Sequence, residues 1–259
     1  MAYETLLINT GDDFVATITL NRPEELNTFN TQIAVELDQA LWELDEQESC
    51  RVIILKGAGK AFCAGIDVNE MFGKDANQAK AWVETMERPL VSMSRIKKPV
   101  IAQVQGAAAA NGGGLVAAAD LAICAENARI GYTAVKVGLF CLGPAVPLFR
   151  MVGRKRAMDL LLSGRLIKAT EALEMGLVNR VVPGEDLDAE ARAWAAELAA
   201  LSPLGVQLSK QALYNMADLE YGKAFDLMNE AFARLCTTLD AVEGCKAFLE
   251  KREPVWRNK

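Results

Sequence analysis

Short strand-like runs that alternate with helical segments constrain the fold of this chain more than any other feature. Residues 14–20 alternate between apolar and polar types and are rich in β-forming residues, whereas 52–55, 100–104 and 121–124 are short apolar runs. Apolar residues recur at helical spacing at Ile33, Leu37, Leu41 and Leu44, and a more polar helical stretch contains Ala79, Trp82 and Met86. Strands that alternate with helices predict βα units and an α/β fold with a mainly parallel sheet.

Beyond Pro183 the pattern becomes entirely helical. Helical spacing covers residues 187–201, 206–216, 221–239 and 242–252. We therefore predict two parts, an α/β core over residues 1–182 and a helical C-terminal region over residues 183–259.

Charge and apolar patterning exclude several classes of partner. The net charge of −6 opposes nucleic-acid binding, which needs a basic face. The longest apolar stretch, 100–124, carries Gln103, Gln105, Asn111 and Asp120 through its middle, which favours a buried strand, loop and helix over a membrane span. The first five residues show no signal-peptide pattern, and six scattered cysteines without a CxxC pair favour reduced thiols. We expect a cytoplasmic protein with no membrane or nucleic-acid partner.

The chain contains no histidine. This excludes Ser-His-Asp and Cys-His catalysis, histidine bases and histidine metal sites. We therefore predict no metal site, and chemistry that uses carboxylates, tyrosine, cysteine, lysine, backbone dipoles or the substrate itself.

Two loops could bind a ligand through their backbones. In the first, residues 61–71, Ala64 and Gly65 let a ligand approach closely, and Asp67 can cap the helix that follows. In the second, residues 106–116, three successive glycines precede a helix without matching a nucleotide-binding motif. An ordinary capped turn explains the first loop taken alone, and a tight strand–helix crossing explains the second. Together they suggest a cradle of N–H groups for one oxygen, such as a thioester carbonyl.

The residues of both loops are part of a wider match. The chain resembles the crotonase (enoyl-CoA hydratase/isomerase) superfamily over nearly its whole length, in segments that include Leu20-Asn21-Arg22-Pro23, Ala61-Phe62-Cys63-Ala64-Gly65-Ile66-Asp67, Lys98-Pro99-Val100-Ile101-Ala102 and Gly164-Arg165-Leu166-Ile167. The resemblance implies a spiral core of ββα turns with a helical C-terminal region that builds a homotrimer or a dimer of trimers. It also implies a coenzyme A thioester as substrate, with no further cofactor.

The resemblance assigns roles to particular residues. The backbone N–H groups of Ile66 and Asn111 would form an oxyanion hole, although family members usually have glycine where Asn111 stands. The residues implied to bind substrate are Glu25, Leu26, Ala64, Ile66, Asp67, Val68, Asn69, Asn111, Gly112 and Leu142.

The sequence departs from the family where acid–base groups are expected. Hydratases of the family use two glutamates, and the matching residues here are Gly114 and Ala134. Isomerases often place a carboxylate at the position of Leu142. None of these three side chains can move a proton.

Other side chains are candidates to replace the missing carboxylates. Tyr132 could donate a proton or orient water, although a residue of the pocket wall explains it as well. Cys141 and Lys136 are expected to be a packed thiol and a surface or interface residue. Glu70, Glu84 and Glu87 could reach the mouth of the pocket, but solvated helical faces explain each of them.

Three functions remain open from the sequence. The first is a hydratase-like lyase that stabilises an enolate in the two-N–H oxyanion hole. The second is an acyl-CoA isomerase or decarboxylase, since loss of carbon dioxide generates its own carbanion. The third is a non-catalytic acyl-CoA-binding protein.

Overall fold

Nine strands and ten α-helices make up the computed structural model, which describes residues 3–259. Residues 1 and 2, which belong to the N-terminal segment considered for a signal peptide, lie outside the described residues. The strands are β1 (Leu6–Thr10), β2 (Val15–Leu20), β3 (Val52–Gly57), β4 (Val100–Val104), β5 (Ala107–Ala109), β6 (Leu121–Ala125), β7 (Arg129–Gly131), β8 (Leu166–Lys168) and β9 (Arg180–Val182). The helices are α1 (Thr31–Glu46), α2 (Ala76–Arg95), α3 (Asn111–Ala118), α4 (Leu142–Val152), α5 (Arg154–Ser163), α6 (Ala169–Met175), α7 (Leu187–Ala199), α8 (Pro203–Met216), α9 (Tyr221–Cys236) and α10 (Leu239–Glu250).

A six-stranded sheet in the order β1-β2-β3-β4-β6-β9 organises the fold. Only β1 and β2 are antiparallel, and the remaining neighbours are parallel, with Ala16 opposite Ile53 and Ile53 opposite Val100. A second sheet, β5-β7-β8, continues from the ends of β4 and β6. The α/β class and the mainly parallel sheet predicted from the sequence are confirmed.

The sheet is covered on both faces, as a parallel sheet requires. On one face, Ala16, Ile18 and Leu20 join the larger core cluster, to which α1 contributes Leu37 and Leu41. On the other, apolar strand residues pack against Leu187, Ala191, Trp194 and Ala195 of α7. The predicted helical character of the C-terminal region is confirmed, and its first helix helps to bury the sheet. The division at residue 182 stays a prediction.

Several element boundaries differ by a few residues from the sequence prediction, and two of these differences have a local cause. The strand expected over 14–20 begins at Val15, because Phe14 has a left-handed backbone with φ of 61°. The break between the last two predicted helices lies three residues earlier than expected, since α9 ends at Cys236 and α10 begins at Leu239. Thr238 separates them because its hydroxyl accepts the N–H of Ala241 at 3.0 Å, which is an N-cap.

Helices α2 and α3, which follow the two loops of the predicted site, are held by a capping box and by burial. Helix α2 begins with a capping box in which the side chains of Asp75 and Gln78 each accept the backbone N–H of the other residue. Helix α3 is buried along its whole length, including Asn111.

Over residues 3–259, no helix is both long and apolar enough to cross a membrane.

Candidate functional site

The two loops singled out from the sequence lie side by side. The N–H of Cys63 donates to the carbonyl of Ala107 at 3.0 Å, and the N–H of Ala109 donates back to the carbonyl of Cys63 at 2.9 Å. A Cβ built on Gly65 would lie 3.4 Å from the Cβ of Ala110. Residues 63–66 and 107–111 therefore form one surface.

Each loop contributes one free backbone N–H. Within residues 3–259, the N–H groups of Ile66 and Asn111 have no hydrogen-bond acceptor. Asn111 begins α3, so its N–H is one of the groups that a helix cannot satisfy internally. The helix dipole adds partial positive charge at that end. The two predicted donors are thus available to an oxygen of a bound molecule.

The backbone at the start of α3 is strained. Ala110, which precedes Asn111, has φ of 46° and ψ of −107°, a conformation that costs a residue with a Cβ about 1–3 kcal/mol. Gly65 has φ of 120°, where an alanine would be strained as well. Both turns set the direction of the N–H that follows, so the strain lies where a ligand would be held.

The glycine run lets α3 pack closely on three neighbours. A Cβ on Gly112 would overlap the carbonyl of Cys63, and one on Gly113 would lie 3.3 Å from the ring of Tyr132. A Cβ on Gly114 would lie 2.9 Å from the ring of Pro144. The close strand–helix crossing considered from the sequence is therefore present, and it coexists with the free N–H of Asn111.

A third segment, residues 22–29, is hydrogen-bonded to the first loop and to the residues just before it. Asn27, which is fully buried, donates from its side-chain amide to the carbonyls of Ala58 and Ala61 at 2.8 Å each. Arg22 donates to the carbonyl of Thr28 at 2.8 Å and lies 3.4 Å from Asp67. These bonds tie Arg22 and Asn27 to the first loop and to the residues just before it.

The residues predicted to bind substrate fall into two groups. The first group lies on the 22–29 segment and the first loop, which form one rim of the site. The carbonyl of Leu26 accepts the N–H of Ala64 at 3.0 Å and joins the two. Asp67 accepts the N–H of Asn69 at 3.2 Å, as predicted for a cap, at the start of the short 3₁₀ helix Val68–Met71. Near that rim are Glu25, Leu26, Ala64, Ile66, Asp67, Val68 and Asn69. The second group lies on α3 and α4 and comprises Asn111, Gly112 and the exposed Leu142.

Tyr132 is completely buried. Its hydroxyl donates to the carbonyl of Gly113 at 3.0 Å, and burial, followed by the nearby Cys141, raises its pKa far above the ordinary value. In this position it braces the glycine run, and its proton is held by the backbone. Its proposed part in proton transfer stays a prediction.

Of the two positions that match the family glutamates by resemblance, the one at 114 leaves no room for a side chain. Pro144 of α4 packs directly on Gly114. Ala134 lies in the 3₁₀ helix Thr133–Val137, where its carbonyl accepts the N–H of Leu139 at 3.0 Å. The packing of α3 against α4 therefore excludes a glutamate at 114, and the residue at 134 is an alanine.

Cysteine thiolates are disfavoured near the site. Burial raises the pKa of Cys63 to about 12 and also raises that of Cys141, in agreement with the packed thiol expected at position 141. Among residues 3–259, no group of three histidine, cysteine, aspartate or glutamate side chains could hold a metal ion.

The three glutamates considered from the sequence differ in the structure. Glu84 is exposed and lies 3.7 Å from Lys80. Glu70 accepts hydrogen bonds from the N–H and hydroxyl of Thr31 and from the indole of Trp82, so it ties α1 to α2. Glu87 is half-buried, and its carboxylate occupies the space that a Cβ on Gly143 would take. The sequence analysis did not single out Gly143, the glycine in the first turn of α4 that leaves room for this carboxylate.

Comparison with known proteins shows the family to which the chain belongs. Residues 10–259 match the family model described as enoyl-CoA hydratase/isomerase. The crystal structure of an enoyl-CoA hydratase from Mycobacterium smegmatis is 36% identical, with a TM-score of 0.94 over 97% of this chain and 98% of that one. The crystal structure of an enoyl-CoA hydratase from Bacillus anthracis is 33% identical, with a TM-score of 0.94 over 99% of this chain and 100% of that one.

A relative of known sequence gives the same result. The mitochondrial enoyl-CoA hydratase domain-containing protein 3 of Rattus norvegicus is 34% identical over 94% of this chain and 82% of its own. The chain belongs to the enoyl-CoA hydratase/isomerase family, and the predicted crotonase-type fold is confirmed.

Proposed function

We propose that this protein binds acyl-CoA thioesters and catalyses hydration of an enoyl-CoA through an enolate held in a two-N–H oxyanion hole. The observation that carries the proposal is the pair of free N–H groups of Ile66 and Asn111 on adjoining loops. A thioester oxygen that accepts both bonds becomes a better electron sink as the enolate forms. One such donor commonly contributes about 3 kcal/mol to the transition state.

The substrate path follows from the same loops. The CoA portion would lie along the rim formed by the 22–29 segment and the 64–69 segment, and the acyl chain would extend toward Leu142. Leu26, Val68 and Leu142 are exposed apolar side chains at these places, which suits the pantetheine and acyl groups. The thioester is the substrate, and the proposal needs no further cofactor.

Isomerisation or decarboxylation of an acyl-CoA is the second candidate. It is favoured by the packing of Pro144 on Gly114, which leaves no space for the first of the two glutamates. A proton shift needs only one acid–base group, and a decarboxylation generates its carbanion without one. Both reactions would use the same oxyanion hole.

We also propose that the chain assembles as a homotrimer or a dimer of trimers in the cytoplasm. Large apolar side chains of the C-terminal helices are exposed, among them Phe225, Phe232, Phe248 and Leu249. Such a concentration of exposed apolar residues marks an interaction surface. All six cysteines are free, as a reducing compartment requires.

The test measures loss of enoyl absorbance with crotonyl-CoA, alongside product formation from 3-enoyl-, malonyl- and methylmalonyl-CoA. Asn111→Pro removes the N–H donor together with the side chain at the first position of α3, and Asn111→Gly is its matched control because it loses the same side chain but keeps the donor. We expect hydration that falls about 100-fold or more in Asn111→Pro and persists in Asn111→Gly. Hydration of equal rate in both variants would refute the oxyanion hole. Tight CoA-ester binding without turnover of any substrate would instead identify a binding protein.

A further inference from the structure

We propose that Glu87 of α2 is the acid–base residue of this site and takes the place of the carboxylates missing at 114, 134 and 142. This assignment rests on the proposed function. It differs from the arrangement expected for the family, because the carboxylate comes from a different helix and reaches the site across the start of α4.

Contacts place Glu87 at the edge of the oxyanion site. Asn111 and Gly114 lie on α3 and are separated by about 4.5 Å along its axis. Pro144 packs on Gly114, and the residue before it, Gly143, is in contact with the Glu87 carboxylate. Helices α2, α3 and α4 therefore meet here, and Glu87 contacts the residue that follows Leu142, the position where an isomerase of the family would have its carboxylate.

The sequence makes room for this carboxylate. A Cβ on residue 143 would overlap Oε1, Cδ and Cγ of Glu87, so any residue larger than glycine would push the side chain away. Glycine in the first turn of α4 gives no benefit to the helix itself, since it is a poor helix former. The close approach of Glu87 is a physical reason for its presence.

The carboxylate of Glu87 also has no structural bonding partner among the described residues. Within the described part of the chain it takes part in no hydrogen bond or ion pair, whereas Glu70 accepts three hydrogen bonds and Glu84 lies beside Lys80. Burial, and secondarily the charge of Glu84, raise its pKa above the ordinary value. A carboxylate that is half-buried, unpaired and easier to protonate is suited to exchange a proton with a substrate.

One carboxylate is sufficient for the whole addition. A water molecule bonds through its oxygen to C3 of the enoyl thioester while it gives a proton to the Glu87 carboxylate. The C2–C3 π electrons move to the thioester oxygen, which accepts bonds from Ile66 and Asn111. The protonated Glu87 then returns the proton to C2, so that H and OH have been added and the carboxylate is regenerated.

The experiment follows proton transfer at C2 directly. Butyryl-CoA is incubated in D₂O with the wild-type protein, Glu87→Gln, Glu87→Asp and Glu84→Gln, and deuterium uptake is measured by mass spectrometry. Binding of butyryl-CoA to each protein is measured by calorimetry. Glu84→Gln is the matched control, since it removes a neighbouring charge that is exposed on the same helix.

We expect Glu87→Gln to lose at least about 100-fold in exchange with binding retained, and Glu87→Asp to keep more activity than Glu87→Gln. Glu84→Gln should stay within about threefold of the wild type. Equal exchange in the wild type and Glu87→Gln would overturn the Glu87 assignment and leave the proposed function intact. Binding without exchange or hydration by the wild type would also overturn it. Failure of the wild type to bind butyryl-CoA would overturn the proposed function itself.

Discussion

Asp120 is the best place to test how the C-terminal helices are held to the core. Its carboxylate accepts the N–H of Val100 at 2.7 Å, the ammonium of Lys210 at 2.7 Å and the hydroxyl of Tyr214 at 3.0 Å. It therefore joins the start of β4 to α8. Lys210 also donates to the carbonyl of Lys98 at 2.8 Å, and only 7% of its side chain is exposed.

The loss of stability expected for Asp120→Asn follows from the groups that this change leaves without a partner. Asparagine keeps an oxygen for Val100, but the buried Lys210 ammonium loses its counter-charge. Burial already lowers the pKa of Lys210, and Asp120 opposes that shift. Breaking a buried ion pair by removing one partner costs about 3–5 kcal/mol. For a chain of this size that corresponds to a decrease in Tm of about 6–20 °C.

The assay is urea denaturation and thermal unfolding at one fixed protein concentration, so that assembly does not change between samples. Asp218→Asn is the matched control, because Asp218 lies 3.2 Å from Arg150 at an exposed site and should cost less than about 1 kcal/mol. Adding Lys210→Met to Asp120→Asn should recover much of the loss, since it removes the unpaired charge. A loss below about 1 kcal/mol for Asp120→Asn alone would refute the reasoning.

Three further predictions concern the site. Gly112→Ala should cost about 1–3 kcal/mol and abolish hydration, because its Cβ overlaps the backbone carbonyl of Cys63, whereas Gly184→Ala, with no atom within 4 Å, should change neither the urea midpoint nor turnover. The Glu87→Gln variant should become more stable than the wild type as the pH rises above 4.5, the ordinary pKa of a glutamate. Because the pKa of Glu87 is raised in the folded protein, ionising this carboxyl costs free energy of folding in the wild type. At lower pH the carboxyl is protonated in both the folded and the unfolded protein, and this difference in stability disappears. Paired urea titrations at acidic and neutral pH measure this, and a constant difference would contradict it. Iodoacetamide at pH 8 should leave Cys63 and Cys124, whose pKa burial raises to about 12 in each case, unlabelled in peptide maps, and should modify Cys236 and Cys245, which are exposed. Rapid labelling of Cys63 would mean that the first loop opens.

Much of the fold was determined by the sequence alone, because it depends on local periodicity. The apolar run Val100–Val104 matches β4 residue for residue, and the C-terminal helices were found by their spacing. The glycine run and the Gly65 turn were recognisable from the sequence as places of close backbone approach, and a Cβ added at these glycines would meet neighbouring residues. Where the prediction was wrong, as at 236–239, a single threonine cap interrupts a pattern that remains periodic on both sides.

Only the tertiary structure decided which side chains contact α3 and the start of α4. Tyr132 stands two residues before Ala134 in sequence, yet its hydroxyl is directed to Gly113, and Glu87 lies 56 residues from Gly143, yet its carboxylate contacts that residue. Periodicity reports which face of a helix is apolar but carries no information about which distant residue approaches its edge. That choice is made by the packing of α2, α3 and α4 together, where Pro144 closes the position of the family glutamate and Gly143 admits another carboxylate.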